Sequence, residues 1–304
     1  MKSNKSVYDV ITNRIIEALE QGVVPWRKPW KCGAPANLVT KNEYRGINTI
    51  ILAMNPYSSP YFATIKQVNQ LGGKVKKGEK GFPVVFWKFP DPDRKRKAEG
   101  KKDDDGDNQT SKESVPIIRY YTVFNVDQCE GLEGKIPIEE RIVFNPIEQC
   151  EKVVGNYPDK PPIIHEGHKA CYRPIDDEVF MPIPESFVSS QHYYAVLFHE
   201  LVHSTGHEKR LAREGVKDFS LFGDHKYSKE ELVAEIGASF LCGTTGLDTG
   251  SVFANQVAYL QSWLDVLKND KRMIVHAAAN AQKAVDHILN VKKNQGASDN
   301  EMAA

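Results

Sequence analysis

Apolar positions recur at helical spacing from Ser6 to Glu20, where Val7, Val10, Ile11, Ile15, Ala18 and Leu19 fall near one face. Ser6 is placed to cap this helix and Gly22 to end it. The run Pro25-Trp26-Arg27-Lys28-Pro29-Trp30 reads as extended, and Tyr44-Arg45-Gly46-Ile47-Asn48 leads into a helical stretch from Thr49 to Met54. Thr64 to Val68 begins a short helix that Gly72-Gly73 breaks, and Lys74 to Gly81 reads as a basic turn. Pro83 to Phe89 and Pro116 to Val126 are rich in β-branched and aromatic residues, which predicts two strands. Phe180 to Pro184 reads as an exposed edge strand, because its prolines have no N–H to give to a central ladder. Helical patterns follow at Ile147 to Val154, Tyr193 to Gly206, Lys229 to Leu241, Ala254 to Lys268 and Ile274 to Val291. The sum is an α+β pattern without internal repeats.

Between the two predicted strands, Asp91 to Ser114 is almost wholly charged or small and polar, with a basic block, Arg94 to Lys97, before an acidic one, Asp103 to Asp107. Such a segment cannot bury enough apolar surface to order itself, so it reads as a flexible insert in a hairpin. The alternative is a basic arm for nucleic acid. A chain of 304 residues suits two domains. The pattern places one at residues 1–130, a connection at 131–146, a second domain at 147–293 and a disordered tail at 294–304.

Charge sharpens this division. The net charge is zero, yet residues 1–90 carry 14 Lys or Arg against 5 Asp or Glu, and the remainder is acidic by the same margin. A basic module for a polyanion joined to an acidic module with another task is the implied arrangement. No apolar stretch approaches the roughly 18 residues of a membrane span, so no membrane partner is expected. Five scattered cysteines without a CxxC pair argue against a disulfide framework and for a reducing, cytoplasmic setting.

The chemistry is densest at His199-Glu200-Leu201-Val202-His203. Residues four apart share a helix face, so His199 and His203 can bind one ion. Glu200, beside the first histidine, is the candidate general base for a metal-bound water. Zinc is the expected metal, with manganese or another divalent ion as the alternative. A catalytic zinc needs a third protein ligand. The metzincin spacing would put a histidine where Lys209 stands, and His207 comes too early. The segment Glu230 to Ala238 instead resembles the second motif of gluzincin metallopeptidases. On that match Glu231 is the third ligand and Glu235 orients the first histidine, with Glu235 as ligand the alternative. Glu230 fits the charged face of an ordinary helix, and Tyr227 reads as a packing residue, with stabilisation of a developing oxyanion the alternative.

The N-terminal half interleaves cations with aromatics. Stacking platforms beside lysines and arginines suit unpaired bases better than duplex. The candidate DNA-binding residues are Trp26, Arg27, Lys28, Trp30, Tyr44, Arg45, Lys74, Lys76 and Lys77.

Together, Pro25-Trp26 with Pro29-Trp30, Tyr44 to Asn48, Val123 to Gln128, His199 to His207, Glu230 to Gly237 and Trp263 to Ala284 make the chain resemble the ArdC-type antirestriction family. That family's N-terminal domain also occurs in TraC-type plasmid primases. The resemblance implies an N-terminal domain that binds single-stranded DNA, a C-terminal zincin-like (gluzincin) domain, and a role in shielding incoming conjugative plasmid DNA from host restriction. A peptidase acting on a host protein, with DNA binding only for localisation, is the competing expectation. A purely structural metal is the third.

Overall fold

A computed structural model describes residues 6–27, 34–88, 117–137, 146–217, 225–247 and 257–291. Helix α1 (Val7–Glu20) starts at a reciprocal cap: the Asp9 amide donates to Ser6 Oγ at 3.2 Å and the Ser6 amide to Asp9 Oδ2 at 3.1 Å. Ile11, Ile15, Ile16 and Leu19 bury its inner face, as the spacing predicts. Pro25–Arg27 form a single 3-10 turn rather than an extended run.

Strands β1 (Ala36–Asn37) and β2 (Tyr61–Thr64) flank α2 (Ile47–Ala53), and α3 (Ile65–Gln70) follows directly. Then come β3 (Lys74–Val75), β4 (Phe82–Lys88), β5 (Ile117–Asn125) and β6 (Cys129–Glu130). The main sheet has the order β1-β2-β5-β4, and β4 and β5 form the expected antiparallel hairpin from Phe82↔Val123 to Lys88↔Ile117. The insert predicted within it, 91–114, lies outside the described residues. Lys74 and Val75 pair with Glu130 and Cys129 as a two-stranded ribbon, which gives part of the predicted basic turn a ladder of its own. Leu132, at the start of the predicted connection, is buried with Leu38, Val68 and Val126.

The C-terminal part begins with α4 (Pro146–Asn156) and the strands β7 (Ile163–His165), β8 (Cys171–Arg173) and β9 (Glu178–Met181). Their order is β7-β9-β8. The expectation of an edge strand at Phe180 to Pro184 is therefore corrected. The central strand is β9, which ends at Met181, just before Pro182 would remove a ladder donor. The edge that antiparallel pairing leaves free belongs to β8. Among the described residues, five helices follow: α5 (Ser190–Ser204), α6 (Glu214–Lys217), α7 (His225–Thr245), α8 (Val257–Asn269) and α9 (Met273–Ile288). None of the described helices is long and apolar enough to cross a membrane.

The main buried cluster draws on both halves, beside two smaller clusters in the N-terminal half. Ile11, Ile15, Trp26, Ile50 and Ile51 belong to the same buried cluster as Phe198, Leu201, Leu232, Leu241, Trp263 and Ala278. Trp26 meets Trp263 edge to face at 5.2 Å, and Ser239 Oγ donates to the Trp26 carbonyl. Thr12 Oγ1 donates to the Lys271 carbonyl at 2.5 Å, and the Gly46 amide donates to Gln282 Oε1 at 3.0 Å. Gly46 adopts φ +56, and a Cβ there would sit 3.7 Å from the Ala278 carbonyl oxygen.

Trp26 at this junction is 2% exposed. Trp26→Ala is expected to lower unfolding free energy by about 3–5 kcal/mol, the cost of emptying a large core site, as read by denaturant unfolding. Unchanged stability with weakened DNA binding would contradict its placement.

Candidate metal centre

Helices α5 and α7 pack face to face. Gly237 on α7 makes the close approach possible, since a Cβ there would lie 2.8 Å from Val202 Cγ2. On α5 the inward residues Leu197, Phe198, Leu201 and Val202 are buried, which turns His199 and His203 toward α7. Glu231 on α7 meets them.

The three side chains converge on one point. His199 Nε2 and His203 Nε2 are 3.0 Å apart, Glu231 Oε2 is 3.5 Å from His199 Nε2, and Glu231 Oε1 is 3.5 Å from His203 Nε2. Tetrahedral zinc with bonds near 2.05 Å separates neighbouring ligand atoms by about 3.3 Å. The donor set and its spacing thus fit a divalent ion. Among the described residues, His199, His203 and Glu231 are the group of potential ligands that lies within 4.8 Å. Glu235 is buried on the same helix, outside that group, and its charge favours the protonated form of His199.

Burial pushes both imidazoles toward the neutral form, but the facing carboxylates outweigh it. Glu231 raises the pKa of His199, and Glu230 with Glu231 raises that of His203. The same pairings overcome burial to hold Glu231 and Glu230 below the usual carboxylate range. A metal therefore competes with a proton held in the cluster.

Glu230 is not on an open charged face. It is 7% exposed, and its Oε1 lies 3.4 Å from His203 Nδ1. Arg213, just before α6, grips the other side, with Nη2 to Glu230 Oε1 at 2.5 Å and Nε to Oε2 at 3.0 Å. Arg213 also donates to the Val202 carbonyl at 2.8 Å and to Thr205 Oγ1 at 2.6 Å, tying off the end of α5. The motif spacing did not reveal this pair. Nothing local marks Arg213, and Glu230 is distinguished only by preceding Glu231.

Glu200 is 8% exposed, and its Oε2 accepts from the Tyr172 amide of edge strand β8 at 2.8 Å. Tyr172 in turn donates from its hydroxyl to Asp177 Oδ1 at 2.8 Å, and Arg210 pairs with Asp177 through Nη2. His207 Nδ1 faces Asp177 at 3.8 Å, away from the three-residue cluster. The Tyr227 side chain lies outside the described residues.

The DNA-binding candidates fare unevenly. Trp26 and Tyr44 are corrected: both are core residues, so neither ring is free to stack on a base. Tyr44 is 5% exposed, packs edge to face with Phe62, and its hydroxyl accepts from Asn37 Nδ2. Arg45 is engaged by Asp286 of α9. Lys74 pairs with Glu130 at 3.1 Å, Lys76 Nζ donates to the Asp127 carbonyl at 2.9 Å, and Lys77 is exposed. Lys28, Trp30 and the side chain of Arg27 lie outside the described residues.

Fold and site together define a zincin-like metal-binding unit fused to a mixed helix and strand N-terminal unit. Residues 149–280 match the model of the zincin-like metallopeptidases, and residues 5–124 match that of the N-terminal domain of anti-restriction factor ArdC. The crystal structure of the antirestriction ArdC protein of plasmid R388 in its Mn(II)-bound form is 36% identical. It aligns over 96% of this chain and 100% of its own with a TM-score of 0.73; the metal-free form gives 0.72. An uncharacterized protein, y4eC, of Sinorhizobium fredii is 33% identical over 92% of this chain and 90% of its own. The chain belongs to the ArdC antirestriction family. Two Escherichia coli proteins named DNA primase TraC are 36% and 34% identical, and the chain spans only 20% and 28% of their lengths.

If Glu230 and Arg213 orient His203, Glu230→Gln weakens divalent-metal affinity by about 10- to 100-fold, measured by chelator competition, while Glu235→Gln changes it less. Affinity falls as pH drops, because the imidazoles take up the competing proton. PH-independent binding without proton release would contradict ligation through the histidines.

Proposed function

We propose that the protein is an antirestriction factor that binds single-stranded DNA and protects incoming conjugative plasmid DNA from host restriction, acting in the cytoplasm. The observation that carries this reading is the end-to-end similarity to the R388 antirestriction ArdC protein. DNA binding is assigned to residues 1–130 and the metal centre to residues 147–293, with 131–146 as the connection. The similarity of 97% of the chain to a protein named DNA primase TraC supports a nucleic-acid partner. Exposed Lys77, with Lys74 and Lys76 nearby on the β3 ribbon, is the proposed phosphate-contacting set.

The proposed metal ligands are His199, His203 and Glu231. Zinc follows from the zincin-like match, and manganese from the Mn(II) form of the R388 protein. When bound, such an ion polarises a carbonyl and lowers the pKa of a coordinated water. Glu200 is the proposed base. One of its oxygens is pinned by the Tyr172 amide, which orients the carboxylate and leaves the second oxygen to take a proton.

This arrangement also supports the second reading, a peptidase directed at a host protein. Edge strand β8 lies against α5, where an extended peptide can add by backbone pairing. Glu200→Ala separates the readings. Protection of plasmid DNA from restriction in cells by Glu200→Ala, with metal and DNA binding retained, is expected if DNA binding carries the function. Complete loss of protection with both bindings intact overturns that and favours the peptidase.

A further inference from the structure

Trp26 and Tyr44 are buried, so neither offers a stacking surface to a single strand. A groove of about 400 Å³ opens between the exposed face of α1 and the β4–β5 hairpin. Asn13, Arg14 and Glu17 line it from the helix, and Gly81, Tyr120 and Thr122 from the sheet. Tyr120 is 47% exposed, although it belongs to a strand of the main sheet. Arg14 lies over the Phe82 ring at 5.4 Å, which holds its guanidinium beside the groove. Asn13 Oδ1 accepts from Lys271 Nζ at 3.0 Å, so the amide nitrogen is the end left to donate to a ligand.

These walls combine an exposed aromatic ring, a guanidinium, a fixed amide donor and a carboxylate acceptor. Glu17 disfavours a phosphate but accepts from the amino edge of a heteroaromatic ring. The volume admits one base with room for its sugar. Lys80, exposed and adjacent in sequence to Gly81, offers a cation for the neighbouring phosphate. We propose that the groove between α1 and the β4–β5 hairpin is a base-binding subsite for single-stranded DNA, in which Tyr120 stacks on the base and Glu17 accepts from its exocyclic amine. The proposal rests on the single-stranded DNA reading above and gives that reading a place on the surface.

Fluorescence anisotropy of labelled oligo-dC and oligo-dT of equal length, at one salt concentration with the full-length protein, tests it. Cytosine presents an amine where thymine presents a carbonyl, so the unaltered protein is expected to bind oligo-dC more tightly. Tyr120→Ala is expected to weaken both by about tenfold, the worth of one stacked base, and Tyr120→Phe to retain affinity. Glu17→Gln, nearly isosteric and at an exposed site, is expected to narrow the dC preference while leaving oligo-dT binding unchanged. Undiminished binding by Tyr120→Ala, or a dC preference unaltered by Glu17→Gln, overturns the subsite and leaves the single-stranded DNA reading standing. Failure of the unaltered protein to bind either oligonucleotide overturns both.

Discussion

The close packing of α5 on α7 governs the rest of the molecule. It brings two histidines and two glutamates into a buried space, and buried charges persist only when they are paired. Each acid here has a partner: Glu231 faces both imidazoles, and Glu230 sits between His203 and Arg213. The chain return after α5 is shaped by the same requirement. Arg213 reaches back to the Val202 carbonyl and to Glu230, so one guanidinium closes the helix end and positions the carboxylate behind a proposed ligand. On the other side Glu200 reaches edge strand β8, whose Tyr172 is fixed by Asp177 and Arg210. The site is thus held by three elements that are distant in sequence.

The second constraint is the shared core. α1, Trp26 and α2 rest on α7, α8 and α9, and the apolar cluster does not stop at the predicted domain connection. The half to which DNA binding is proposed therefore has its first helices seated on the scaffold that carries the proposed metal centre. Lys271, from the turn before α9, reaches Asn13 in the proposed base groove. This gives a physical path by which the C-terminal helices support the proposed groove.

What the sequence disclosed follows from locality. The i, i+4 spacing of His199 and His203 and the capping box at Ser6 are encoded within one or two turns and are read directly. The gluzincin-like motif pointed to Glu231 in the same way. Glu230 and Arg213 act through a contact 17 residues apart, which no local pattern records. Aromatic residues misled for a different reason: flanking charges and prolines made Trp26 look exposed, yet a tertiary partner, Trp263, covers it. Likewise the prolines near Phe180 suggested an edge strand, whereas β9 simply stops before them and β8 takes the free edge. The exposed ring of Tyr120 was hidden inside a run that reads only as a strand.

Anomalous diffraction from crystals grown with zinc or manganese tests the metal centre most directly. One peak bonded by His199 Nε2, His203 Nε2 and a Glu231 oxygen, with Glu230 against His203 Nδ1, is the expected result. A peak held by Glu235 in place of Glu231, or no peak between α5 and α7, would contradict it.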